Sequence, residues 1–219
     1  MDFSALNWMR RLLAVLLLLL LSRSPGSFLS AEENGWNKLF DGHSLQNWRS
    51  TRFGGEGNVE VNEGQIILNM GNDLTGINWS DRFPTVNYEV MLAARRLAGS
   101  DFFCGITFPV NESPCSLIIG GWGGTVVGLS SIDDRDASEN ETGRLMNFEL
   151  GRWYAVRLRV TESKIEAWID EKQVVDLTVG RHKISVRPEV ELSRPFGIAS
   201  WRTKAALRDI KLRTLDGAP

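Results

Sequence analysis

The chain has 219 residues, 42% of them apolar and 24% charged, which excludes a disordered or fibrous protein. Its 25 basic and 27 acidic residues leave a net charge of −2, so the basic footprint of a nucleic-acid binder is absent and no nucleic-acid partner is expected. With only two His and two Cys, a Cys/His zinc centre would consume every such residue in the chain.

At the N-terminus, Arg10 and Arg11 precede an apolar run from Leu12 to Leu21, and Ser22, Ser24, Pro25, Gly26 and Ser27 follow. Basic, apolar and small residues in that order predict a secretory signal peptide over residues 1–31 and an exported product, periplasmic, secreted or envelope-associated. The run falls short of the about 20 apolar residues that span a bilayer. Retained, it would be an anchor, and that is the one route to a membrane partner. Residues 32–219 are expected to form a single domain. Without residues 1–31, which hold three Arg and one Asp, the net charge becomes −4.

Beyond the leader, apolar residues recur with period two, the mark of half-buried strands. Tyr88, Val90 and Leu92 alternate with Glu89, Met91 and Ala93. The strands FFCGITF (102–108) and CSLIIGG (115–121) are joined by a turn at Val110 to Pro114. That register sets Cys115 near Pro109, so a bridge to Cys104 would be strained; buried thiols are the alternative. The run Gly120-Gly121-Trp122-Gly123-Gly124 comes next, then a strand from Val126 to Leu129 and a polar stretch over 130–144. Further on, Tyr154, Val156, Leu158 and Val160 alternate with Ala155, Arg157 and Arg159, and Ile165, Ala167 and Ile169 with Glu166, Trp168 and Asp170. Turn signals at Asn62-Glu63-Gly64, Ala98-Gly99-Ser100 and Asp170-Glu171-Lys172 separate these runs. Many short strands with tight turns predict an all-β fold, a two-sheet antiparallel jelly roll with first and last strands adjacent. Expected core positions include Leu39, Phe40, Trp48, Ile106, Phe108, Trp153, Leu158, Ile198 and Ile210.

Several segments resemble, in order, the 3-keto-disaccharide hydrolase family, exported bacterial domains with a concanavalin-like, laminin-G-like jelly roll. The opening Gly35-Trp36-Asn37-Lys38-Leu39-Phe40-Asp41-Gly42 and Leu45-Gln46-Asn47-Trp48 resembles the family's aromatic, Leu-Phe-Asn/Asp-Gly turn and Leu-x-x-Trp. Asn58 to Ile66 is similar to its second hairpin, Trp153 to Asp176 to its penultimate hairpin, and Phe196-Gly197-Ile198 through Leu207 to Leu212 to its closing strands. The resemblance implies hydrolase or lyase activity on 3-keto-glycosides. This chain departs from the family at Trp201, four residues after Gly197, where His is usual. That departure keeps a non-catalytic carbohydrate-binding module open, and an envelope interaction module is a third reading.

Removal of the proton beside a ketone needs a base, and the enolate needs a cation or metal. Glu89 and Glu166, on the faces of their strands opposite the core, are the candidate bases. Asp133, Asp134 and Asp136 are close enough in sequence to supply oxygen ligands to a hard divalent cation such as Ca²⁺. Sugars stack their C–H faces on aromatic rings. Trp122, left without bulky neighbours by four glycines, is the first choice as a carbohydrate contact; Trp168, Trp201, Arg135 and Arg202 accompany it as substrate-binding candidates.

Overall fold

The computed structural model describes residues 35–215; the leader expected over residues 1–31 lies outside them. In chain order the first strands are β1 (Asn37–Lys38), β2 (Trp48–Ser50), β3 (Val59–Asn62), β4 (Gln65–Leu68) and β5 (Leu74–Trp79). The middle of the chain holds β6 (Tyr88–Gly99), β7 (Cys104–Val110), β8 (Ser113–Gly121), β9 (Val126–Ser130) and β10 (Arg144–Leu145). The last are β11 (Tyr154–Val160), β12 (Lys164–Ile169), β13 (Lys172–Thr178), β14 (Gly197–Trp201) and β15 (Thr203–Thr214). The helical content among the described residues is two 3₁₀ turns, Val179–Arg181 and Pro188–Ser193.

The strands form two antiparallel sheets. One has eight strands in the order β13-β12-β11-β6-β15-β4-β3, with β1 also on β15. The other has seven, in the order β10-β9-β8-β7-β14-β5-β2. As expected, the first strand lies beside the last, with Asn37 opposite Leu212.

The core lies between the sheets, and the alternation decides what enters it. Tyr88, Val90, Leu92 and Ala94 of β6 and Val156, Leu158 and Val160 of β11 are buried from one side. Cys104, Ile106 and Phe108 of β7, Leu117 and Ile119 of β8 and Leu129 of β9 meet them from the other. Each large apolar side chain so buried contributes about 1.5–3 kcal/mol. Trp153 departs from the expectation: it is half-buried on the outer face, where Arg95 and Arg208 stack on its ring at 4.5 and 4.3 Å.

The β7–β8 register pairs Phe108 with Cys115 and Cys104 with Ile119, so the two cysteines are out of reach of each other. Both thiols are free and buried. Burial pushes both up, Cys115 to about 12.

Candidate functional site

On the seven-stranded sheet the side facing away from the core carries small residues. Between the buried residues of β7, β8 and β9 stand Thr107, Ser116 and Ser130, with the Thr107 and Ser116 hydroxyls hydrogen-bonded at 2.9 Å. A second apolar cluster, Leu74, Phe102, Ile118, Val190 and Ala199, packs on this face with Phe53, Val186 and Trp201 against it. The Pro188–Ser193 turn supplies Val190 to that cluster. A cleft of about 220 Å³ opens there. Its floor is Ser116, Ile118 and Ser130; its walls are Phe102, Trp201 and Val190; Trp122, Asp101, Arg187 and Glu189 complete it.

Trp122 reaches the cleft because the β8–β9 turn runs through left-handed backbone. Gly120 has φ +78°, Trp122 +48°, Gly123 +84° and Gly124 +106°. Glycine is needed for contact as well as for conformation. A Cβ on Gly120 would stand 2.7 Å from Arg96 Nη2, and one on Gly124 would stand 3.1 Å from Arg96 Nη1. Arg96, a buried residue of β6, donates from Nη2 to the carbonyl oxygens of Gly120 and Gly124 at 3.4 and 3.0 Å. Desolvation lowers its pKa. The arginine holds the turn from beneath and leaves the indole 41% exposed.

Arg187 is fixed by carboxylates on two sides. Its Nε and Nη2 donate to Glu189 at 3.2 and 2.7 Å, and its Nη1 donates to Asp136. The fork-shaped pairing raises the Arg187 pKa and lowers that of Glu189. Asp136 also accepts long hydrogen bonds from Ser130 and Ser131, at 3.4 and 3.5 Å. Asp101 ties two lips of the cleft together: it accepts from the Phe102 amide at 2.7 Å and from the Gly123 amide at 3.5 Å.

The polar stretch over 130–144 is anchored by buried Ile132 and Ala137 and pairs with the neighbouring segment, where Ser131 and Ser185 exchange backbone hydrogen bonds. Asn140 staples it internally, donating to the carbonyls of Leu129, Arg135 and Asp136 at 2.7, 3.0 and 2.8 Å.

Two of the residues expected to bind sugar meet in the cleft, Trp122 and Trp201. Arg202 stays at its corner, clamping Asp73 at 2.7 Å. Arg135 is exposed at the loop tip and does not line the cleft. Trp168 belongs to the other sheet, with Arg157 stacked 3.6 Å from its ring centroid.

The expected bases are on the wrong sheet for this cleft. Glu89 and Glu166 do face away from the core, but on the eight-stranded sheet. There Glu89 meets Arg157 at 3.3 Å and Arg213, and Glu166 accepts from Arg159 Nε at 2.7 Å. The expected cation site is not assembled either. Asp133 meets the His182 ring at 2.8 Å, Asp134 meets Lys183 at 2.8 Å and Asp136 meets Arg187, so each carboxylate turns to a different partner. Among the described residues no cluster of three or more His, Cys, Asp or Glu side chains is placed to hold a metal. Arg187, Glu189, Asp101, Ser116 and Ser130 were not among the site residues expected from the sequence. For Ser116 and Ser130 the available signal was the small, polar outward position within an otherwise apolar strand.

Residues 35–213 match the sequence profile of the 3-keto-alpha-glucoside-1,2-lyase-like domain, and the chain belongs to that family. No curated protein matches it. Among solved structures it is similar to a galectin-like protein of unknown function from Bacillus subtilis, with TM-score 0.59 and 10% identity over 82% of this chain and 94% of that one. It is also similar to a candidate glycosyl hydrolase from Parabacteroides distasonis, with TM-score 0.53 and 14% identity over 83% and 94% of the two chains. The Crh5 transglycosylase in complex with NAG matches with TM-score 0.55 and 12% identity over 84% and 85%. These likenesses establish a jelly-roll fold.

Proposed function

We propose that this domain binds the end of a glycoside in the cleft beneath Trp122. The observation that carries the reading is the convergence of two indoles, Trp122 and Trp201, with hydroxyl, carboxylate and guanidinium groups in one opening of about 220 Å³. That volume is below the roughly 300–1,000 Å³ of drug-sized sites and suits a single sugar ring. The indoles receive the C–H face of the ring, while Ser116, Ser130, Asp101 and the Arg187–Glu189 pair exchange hydrogen bonds with its hydroxyls. Arg187 needs no rearrangement to do this, because Asp136 and Glu189 already hold it in place.

Titration of intrinsic tryptophan fluorescence with 3-keto-glucosides and their unoxidised parents tests the proposal. Trp122→Ala should weaken binding at least about tenfold with an unchanged melting temperature. If that variant binds as the parent does, or unfolds, the site is wrong.

Family membership favours a second reading in which the bound 3-keto-glycoside is also cleaved. A base takes the proton at C2, the C1–C2 double bond forms, the C1–O bond breaks, and the departing oxygen takes a proton; water addition would then complete hydrolysis. Asp101 is the cleft carboxylate not engaged by Arg187, and Arg187 is the cation available to a developing enolate. In this reading Asp101→Asn loses the new olefinic signal in NMR of the reaction mixture by more than any loss of glycoside affinity accounts for. Absence of turnover by the parent protein would leave binding alone.

A further inference from the structure

The outer face of the eight-stranded sheet carries a second arrangement that the cleft does not use. Three indoles lie along it, each held by two cations. Arg157 and Arg159 stand 3.6 and 5.4 Å from the ring centroid of Trp168, Arg95 and Arg208 at 4.5 and 4.3 Å from Trp153, and Lys211 and Arg213 at 5.1 and 4.7 Å from Trp36. The carboxylates on this face among the described residues include Glu89, Glu166, Glu60, Asp176, which lies opposite Glu166 and pairs with Lys164 at 2.8 Å, and, beside Arg208 at 3.3 Å, Asp209. Five arginines, Arg95, Arg157, Arg159, Arg208 and Arg213, therefore stand on one face of a chain whose net charge is −2. Internal pairing accounts for only part of that charge. The side chains of Arg157, Arg159, Arg213 and Arg208 remain 33%, 36%, 36% and 44% exposed.

We propose that this face binds an anionic polysaccharide, a polymer of uronate or sulfated sugars. Stacking on indole prevents the guanidinium groups from swinging away, so their positions are set by strands about 4.8 Å apart. A fixed lattice of cations complements a stiff chain that bears anions at regular intervals. A lipid surface fits less well. The exposed large apolar side chains, Met70, Trp122, Leu145, Leu150 and Leu192, all lie off the strands of this sheet, so nothing there inserts into a bilayer. The site is separate from the cleft, which opens on the other sheet.

Calorimetric titration of the full chain with de-esterified and fully methyl-esterified polygalacturonate tests the proposal, with dextran sulfate against dextran as a second pair. The acidic member of at least one pair should bind, at least about tenfold more weakly as salt rises from about 50 to 200 mM, and neither neutral polymer should. The double variant Arg95→Gln/Arg208→Gln leaves Glu89 and Glu166 with their partners. It should lose at least about tenfold in polymer affinity while the fluorescence response of the cleft to a glycoside persists. Equal binding of charged and neutral polymers, or no binding of any, overturns the proposal. So does equally tight binding of phosphatidylglycerol vesicles or duplex DNA. Should the double variant not fold, the two polymer pairs on the parent protein decide the matter alone.

Discussion

On β8 and β9 the positions facing away from the core hold Ser116, Ile118 and Ser130; on β6, β11 and β15 they hold Glu89, Arg95, Arg157, Arg159, Arg208 and Arg213. The backbone pattern is the same in both sheets. Short side chains leave a gap between the seven-stranded sheet and the residues above it, and that gap is the cleft. Long side chains on the eight-stranded sheet lie down on neighbouring indoles and fill their own space. Concavity in this sandwich therefore comes from side-chain length at alternate positions.

If the two faces share only the core between them, a core change should damage both. Leu158 is fully buried on β11, and Leu158→Ala should cost about 2–5 kcal/mol, read as a fall in urea midpoint with loss of cleft binding at high denaturant. A change of less than about 0.5 kcal/mol would mean that the sheets pack less tightly than described.

The next largest effect should fall on one face alone. The Glu89 side chain is 1% exposed and meets both Arg157 and Arg213. Glu89→Gln removes the carboxylate charge held between two guanidinium groups and should cost about 1–3 kcal/mol in chemical denaturation. Binding in the cleft should be unaffected while the protein remains folded. Were Glu89 the base of the cleft chemistry, the substitution would instead abolish turnover with little loss of stability.

Glu89 also marks the limit of what the sequence reveals. Period two places Glu89 and Glu166 opposite the core, and they are, but it does not say to which sheet a strand belongs. Sheet membership follows from long-range pairing: β6 lies between β11 and β15, whereas β7, next in the chain, crosses to the other sheet. Trp122 was legible because four glycines leave an indole no cover. Arg187 and Glu189 were not, because their segment carries no periodicity and its place over the sheet depends on pairing with residues more than fifty positions earlier. Trp153 misled in the other direction: an aromatic next to a strand reads as core until the cations that cover it are known.

The smallest expected effect uses the cysteines, which lie on the inner side of the cleft sheet, as reporters of whether a substitution acts on its face or on the core. The Cys115 thiol ionises near 9.0 when free of the fold and is pushed to about 12 within it. Above pH 9 the unfolded chain thus releases a proton that the folded chain keeps. The corresponding stability is fully present below pH 9 and declines as pH rises toward 12. Burial pushes Cys104 and Tyr88 upward too, and both act in the same direction. The urea midpoint should therefore hold steady from about pH 7 to 8.5 and fall by about pH 10, and Cys115→Ala should reduce that fall. Alkylation by iodoacetamide at about pH 8 should be slow in the native protein, because a buried thiol reacts only when the sheet opens. Trp122→Ala and Arg95→Gln/Arg208→Gln should label at the parent rate, while Leu158→Ala should label faster. Faster labelling of the Trp122 variant alone would mean that this indole helps hold the sheet closed, and the contrast between an open cleft and a self-filled face would fail at its most exposed residue.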